Sequence, residues 1–230
     1  MLGHDPYAAK ALEYLLGLAF LLLFAGFWQY TMSGTKLAPA HAVDRIRRRL
    51  PKVADMFRVP DNVMLHPGHA WARVEGPDLV AVGVDDFAQQ LVGPLEGLTL
   101  PEPGTRLLQG APALGLRADS KLVEVLSPIS GRVVAVNVGA MRAPQAVNAD
   151  PYGEGWLLKV HAPRLPVDSK QLVAGERARQ WVSTSWDEVS KLLTPELGTV
   201  MHDGGMPVAG VARGIDPAHW DDIAKRFLLS

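Results

Sequence analysis

Apolar positions along the chain follow three different rules. From Tyr14 to Met32 they run almost unbroken, YLLGLAFLLLFAGFWQYTM, nineteen residues without a formal charge. A helix rising about 1.5 Å per residue needs about 20 such residues to cross about 30 Å of hydrocarbon. The run therefore predicts a transmembrane helix within an N-terminal segment, 1–33. Tyr7, Tyr14, Trp28 and Tyr30 stand near its two ends, where aromatic belts occur. The leader carries Asp5 and Glu13 as well as Lys10, and no small-x-small site follows. That pattern favours a retained span over a cleaved secretory signal.

A connector, 34–62, comes next. Val43, Ile46 and Leu50 recur at i, i+3, i+7 beside Arg45, Arg47, Arg48 and Arg49. This predicts a short basic amphipathic helix suited to anionic lipid headgroups; the alternative is an ordinary surface helix with a solvated basic face. Lys10 precedes the span, whereas Lys36, the four arginines and Lys52 follow it. The asymmetry predicts a single-pass inner-membrane protein with its N-terminus periplasmic and its main domain cytoplasmic.

Residues 63–162 switch to short runs with period two or continuous apolar character: Leu79–Val84, Leu122–Leu126 and Gly131–Val136, separated by Gly and Pro turns. Many short strands predict a β-sandwich or flattened barrel. One interruption, Asp85–Leu91, has acids at its start and Phe87 and Leu91 at i, i+4, which predicts a short helix. The final segment, 163–230, returns to helical spacing. Helices are expected near 169–183 and 186–193, the second from the capping-box pattern Ser185-Trp186-Asp187-Glu188 before Pro195. Asp216-Pro217 signals a last helix start. There Trp220, Ile223, Ala224, Phe227 and Leu228 form one apolar stripe. The stripe either packs on the chain's own sandwich or offers Trp220, Ile223, Phe227 and Leu228 as anchors for a partner.

Composition narrows the chemistry. With 23 Lys+Arg against 24 Asp+Glu, there is no global basic field, and nucleic acid is not an expected partner. The chain has 0 Cys, which excludes disulfides, thiolate nucleophiles and Cys-ligated metals. The span contains no His, Asp, Glu, Lys or Arg, so it offers no conventional axial metal ligand and no proton relay. His66-Pro67-Gly68-His69 pairs two histidines across a turn without a helix to align them, so no metal is expected there. Asp85-Asp86 are better first-turn helix acids than catalytic carboxylates. His202-Asp203-Gly204-Gly205 lacks the strand–loop–helix setting of a phosphate cradle. Nothing points to an enzyme.

Several blocks resemble the glycine cleavage system H-protein, a lipoyl carrier: His69-Ala70-Trp71-Ala72-Arg73-Val74-Glu75-Gly76, the stretch Gly83–Gly93 with Phe87-Ala88-Gln89, Leu100–Gly104, Ser127-Pro128-Ile129-Ser130-Gly131, and Asn148-Ala149-Asp150-Pro151-Tyr152-Gly153-Glu154-Gly155-Trp156-Leu157. The resemblance spans about 100 of 230 residues. It implies a mainly β fold, an H-protein-like hybrid sandwich of the lipoyl/biotinyl type. It also implies a lipoyl-lysine at a hairpin tip with a glutamate three residues before it. Counting back from Ser127-Pro128 puts that position on Ser120; counting forward from Gly115 puts it on Lys121. The glutamate is replaced by Arg117 in one register and by Ala118 in the other.

The sequence thus carries two expectations. The first is a non-catalytic, membrane-anchored accessory subunit without cofactor, held among other subunits of a bacterial respiratory or photosynthetic membrane complex and against anionic headgroups, with Lys121 an ordinary turn lysine. The alternative is a membrane-tethered carrier with lipoate on Lys121, serving an oxidoreductase or the glycine cleavage system.

Overall fold

The computed structural model describes residues 6–33, 56–192 and 209–229, with side chains in the first stretch at 10 and 14–28. It divides into two compact units, Met1–Leu50 and Pro51–Ser230. In the first, Pro6–Ser33 forms one helix, α1, of 28 residues. Its described apolar side chains are exposed, Leu22 at 68% and Leu23 at 75%. Among the described residues no helix is long and apolar enough to cross a membrane. The expected transmembrane segment is found as a helix, α1, that does not qualify as a span among the described residues. The basic connector with Arg45, Arg47, Arg48 and Arg49 lies outside the described residues, as does His202–Gly205.

The second unit is a two-sheet antiparallel sandwich. Its strands are β1 (Met64–Leu65), β2 (Ala70–Gly76), β3 (Leu79–Val84), β4 (Gly97–Thr99), β5 (Arg106–Leu107), β6 (Pro112–Ala118), β7 (Lys121–Leu126), β8 (Gly131–Val136), β9 (Leu158–His161) and β10 (Val173–Ala174). Seven form one sheet in the order β10-β1-β2-β3-β9-β8-β5, and β4-β6-β7 form the other. The two periodicities explain their places. β3, apolar throughout and buried from Val80 to Val84, lies between β2 and β9 inside the larger sheet. β7 alternates: Val123 and Val125 are buried while Leu122 and Glu124 face out.

Trp71 fills the centre of the larger sheet opposite Gly83. A Cβ on Gly83 would come within 2.6 Å of the indole, so only glycine admits the tryptophan. The indole Nε1 donates to the Pro151 carbonyl at 3.1 Å.

Helices cover the sandwich: α2 (Asp86–Val92), α3 (Val138–Arg142), α4 (Gln145–Ala149), α5 (Leu165–Asp168), α6 (Gly175–Ser190), α7 (Val211–Ile215) and α8 (Trp220–Leu228). The expected helices near 169–183 and 186–193 are one, α6. Ser185 lies inside it and its hydroxyl donates to the Trp181 carbonyl at 3.2 Å. A capping box needs an extended residue at its head, and continued apolar spacing through Val182, Trp186 and Val189 overrides it here. Asp216 does cap: its carboxylate accepts from Ala218 and His219 N–H groups at 2.9 and 3.0 Å, just ahead of α8.

The apolar stripe of α8 is buried within this chain. Trp220 and Leu228 are fully enclosed, Phe227 is 5% exposed and Ile223 is half-buried, against β7, α2 and α7. The reading of these four residues as partner anchors is corrected, because α2 and β7 present an apolar trough that α8 fills.

Candidate functional site: the hairpin lysine

The hairpin β6–β7 pairs in register from Leu114↔Val125 to Ala118↔Lys121. Two residues remain for the turn, Asp119 and Ser120, with φ of 47° and 62°. Consecutive positive φ values mark a type I′ connection, which matches the twist of the flanking strands. Aspartate tolerates this region; serine does so less well. Ser120 thus sits in the turn, and Lys121 is the first residue of the descending strand. Of the two candidates for the family's acid, Arg117 is exposed and Ala118 is fully buried. The acids nearest the turn are Asp119 itself and Glu96, whose carboxylate accepts from the Ser120 N–H at 3.4 Å.

The Lys121 amine is held. It donates to the Ala218 carbonyl at 2.5 Å and forms an ion pair with the Asp221 carboxylate. It also lies 5.9 Å from the ring centroid of Trp220, with the Arg213 guanidinium at 5.8 Å from the same ring. Lys225 reaches the other oxygen of Asp221 at 2.7 Å. The hydrogen bond from Lys121, seconded by that from Lys225, lowers the Asp221 pKa from 3.8 to about 2. The Lys121 side chain keeps 36% exposure, so the amine is seated at the surface rather than buried. Trp220, beneath it, has an indole Nε1 without a hydrogen-bond partner among the described residues. To the turn lysine expected from the sequence the structure adds a partner: α8 supplies a counter-charge from 100 residues further along the chain.

The other sequence-flagged residues are structural. His69 Nδ1 lies 2.8 Å from Asp85, both buried, and its ring stacks between Phe87 at 4.1 Å and Trp181 at 4.2 Å. Asp85 also caps α2 by accepting from Ala88 N–H at 2.8 Å. His66 accepts from Gly68 N–H at 3.0 Å, and burial, then His69, lowers its pKa. The block Asn148–Leu157 works as a clasp. Asn148 donates to Gln89 and the Gly93 carbonyl at 3.0 and 2.9 Å and accepts from Leu95 N–H at 3.0 Å. The Tyr152 hydroxyl accepts from Asp86 N–H at 3.1 Å, and burial keeps that phenol neutral.

Residues 64–185 match the family model described as glycine cleavage H-protein. The chain belongs to the glycine cleavage H-protein family. It is 38% identical over 111 residues to the glycine cleavage system H protein of Rubrobacter xylanophilus, covering 48% of this chain and 87% of that one. Identity to the probable glycine cleavage system H protein 2 of Saccharolobus solfataricus is 36% over 110 residues, covering 48% and 74%. A crystal structure of a glycine cleavage system H protein from Mycobacterium marinum is similar with a TM-score of 0.49 at 26% identity, over 56% of this chain and 99% of that one. The H-protein match takes in the hairpin, the clasp and part of α6; α7 and α8, which seat the lysine, lie beyond it.

Proposed function

We propose that the chain is a lipoyl carrier of the H-protein type, with Lys121 as the attachment residue and α8 as a seat for its amine. The observation that carries this reading is the position of Lys121, the lysine that directly follows the turn of the β6–β7 hairpin in an H-protein domain. The residues fit the group in two respects. The amine is at the surface, and its partners Asp221 and the Ala218 carbonyl are ones a short side-chain rotation can leave. A lipoyl group there would supply a dithiolane on a long, flexible arm. The chain's own contribution is positional: the turn presents the lysine, Asp221 and Ala218 hold its protonated amine, and the clasp keeps the sandwich rigid behind it. A carrier of this kind passes a group between partners and catalyses nothing itself.

The contrasting reading, an H-protein-like packing subunit without lipoate, draws on one observation: the amine is already engaged by Asp221 and Ala218. Peptide-mapping mass spectrometry of the chain, purified from cells supplied with lipoate, separates the two. A mass increase of one lipoyl group on the peptide containing Lys121 is expected. An unmodified Lys121 with lipoate on other carriers of the same cells would turn the assignment toward the packing subunit.

Membrane tethering at the cytoplasmic face, alongside other subunits and anionic headgroups, belongs to the same proposal. It is supported by the uncharged run 14–32 and the Lys and Arg residues that follow it. Protease added to sealed, right-side-out membranes should leave the sandwich intact, and its digestion would remove this part of the proposal.

A further inference from the structure

Away from the hairpin, two arginines and a histidine stand in register across neighbouring strands. Arg106 of β5 lies directly opposite Arg132 of β8, and Arg132 directly opposite His161 of β9. Directly paired residues of antiparallel strands send their side chains to one face, and like charges so placed destabilise the pair. Arg164, just beyond β9, lines the same groove, which encloses about 270 Å³ beside Ser130 and Pro163. Among the described residues no carboxylate lines it, and none of the three arginines, nor His161, is in an ion pair. Arg132 donates one N–H to the Gly104 carbonyl at 2.9 Å, which fixes its guanidinium at the groove edge.

The same sheet face shows what the chain does when it neutralises its own cations. Two residues back along β9, Lys159 meets Glu75 at 2.8 Å, and Arg73 shares that carboxylate at 3.2 Å. Among the described residues no acid pairs with Arg106, Arg132 or Arg164; the carboxylate next to the groove, Asp168, accepts from the Ser130 N–H at 2.6 Å instead. A row of uncompensated guanidinium forks in a concave site is matched in charge and geometry by a phosphate-type oxyanion.

We propose that the β5–β8–β9 groove binds the phosphoryl group of an anionic ligand. Arg132 and His161 line its middle, and Arg106 and Arg164 close on it from either side. The volume, below the usual 300–1,000 Å³ of small-molecule pockets, suits one or two phosphates better than a whole nucleotide. The shared chemistry has two sources, a soluble phosphate ester or the headgroup of an anionic lipid. The inference is independent of the lipoyl reading, because the groove is on the other sheet from the hairpin.

The test uses the full chain in zwitterionic detergent at low salt. Pyrophosphate is titrated while backbone amide shifts are recorded, and wild type is compared with Arg106→Gln and Arg132→Gln. In parallel, flotation on phosphatidylglycerol and phosphatidylcholine vesicles is compared between the same proteins, so that any binding by α1 cancels. Saturable shifts at 106, 132, 161 and 164, weakened about tenfold by each substitution, support the site with a soluble ligand. Arginine-dependent flotation on phosphatidylglycerol alone supports it with a headgroup. Arg106→Gln should also raise the melting temperature without anion, since the like-charged pair is gone. Absence of saturable shifts together with flotation indifferent to both substitutions overturns the proposal, as does equal weakening by Arg117→Gln, a surface arginine outside the groove.

Discussion

Lys121 and the Arg106–Arg132 pair both occupy strand positions of the one sandwich, yet the chain provides a counter-charge only to the first. Asp221 arrives from a helix 100 residues away to meet the lysine, while Arg106 and Arg132 face each other and neither is paired with an acid among the described residues. Supplying an internal acid fixes a cation in one place and lowers its attraction for anything else. Withholding it leaves electrostatic strain that an external anion relieves. The hairpin lysine is thus paired within its own chain, and the arginine row is left unpaired among the described residues.

The largest expected effect comes from removing the floor of the lysine's seat. Trp220→Ala should destabilise the domain by about 3–5 kcal/mol in urea unfolding, the usual range for a buried aromatic. Trp220→Phe should cost far less, because the indole N–H it removes has no partner to lose. Equal losses would mean that the indole N–H finds a partner in solution. Next comes the counter-charge itself. Asp221→Asn should raise the rate at which an amine-reactive acylating reagent modifies Lys121 by about fivefold, the equivalent of an ion pair worth about 1 kcal/mol. A rate unchanged relative to Lys170 would place the amine outside the seat.

The same pair has a pH signature. Because the folded-state pKa of Asp221 lies below its ordinary value, its contribution to stability is present above pH 3.8 and is lost as pH falls toward about 2. Thermal melts across that window should show a smaller acid-side decline in Asp221→Asn than in wild type, and parallel declines would argue against the pair. The smallest effect is at the turn. Ser120→Gly removes a side chain from a positive-φ position and should stabilise by about 0.5 kcal/mol, read as a slightly raised urea midpoint.

Local pattern made much of the sandwich legible. Alternation located β7 and β8, continuous apolar character located β3, and the acids of Asp85-Asp86 with Phe87 and Leu91 located α2. The stripe from Trp220 to Leu228 announced α8, although nothing in it said which surface it would cover; that depended on the trough between β7 and α2. The candidate lysine was legible only as a choice between two registers, and the ladder Ala118↔Lys121 resolves where each residue sits. The seat on Asp221 and Ala218, and the row from Arg106 through Arg132 to His161, depend on pairings between residues far apart in sequence. Periodicity has no access to those. The two-residue strand β10, which pairs with β1, was missed for the same reason.

The most direct measurement of the central claim is lipoylation of the purified chain by a lipoate–protein ligase, mapped by peptide mass spectrometry in wild type, Lys121→Arg and Asp221→Asn. The account predicts one lipoyl group on the peptide containing Lys121, none in Lys121→Arg, and faster loading in Asp221→Asn, where the amine leaves its seat more readily. Loading on a different lysine, or no loading in either wild type or Asp221→Asn, would contradict it.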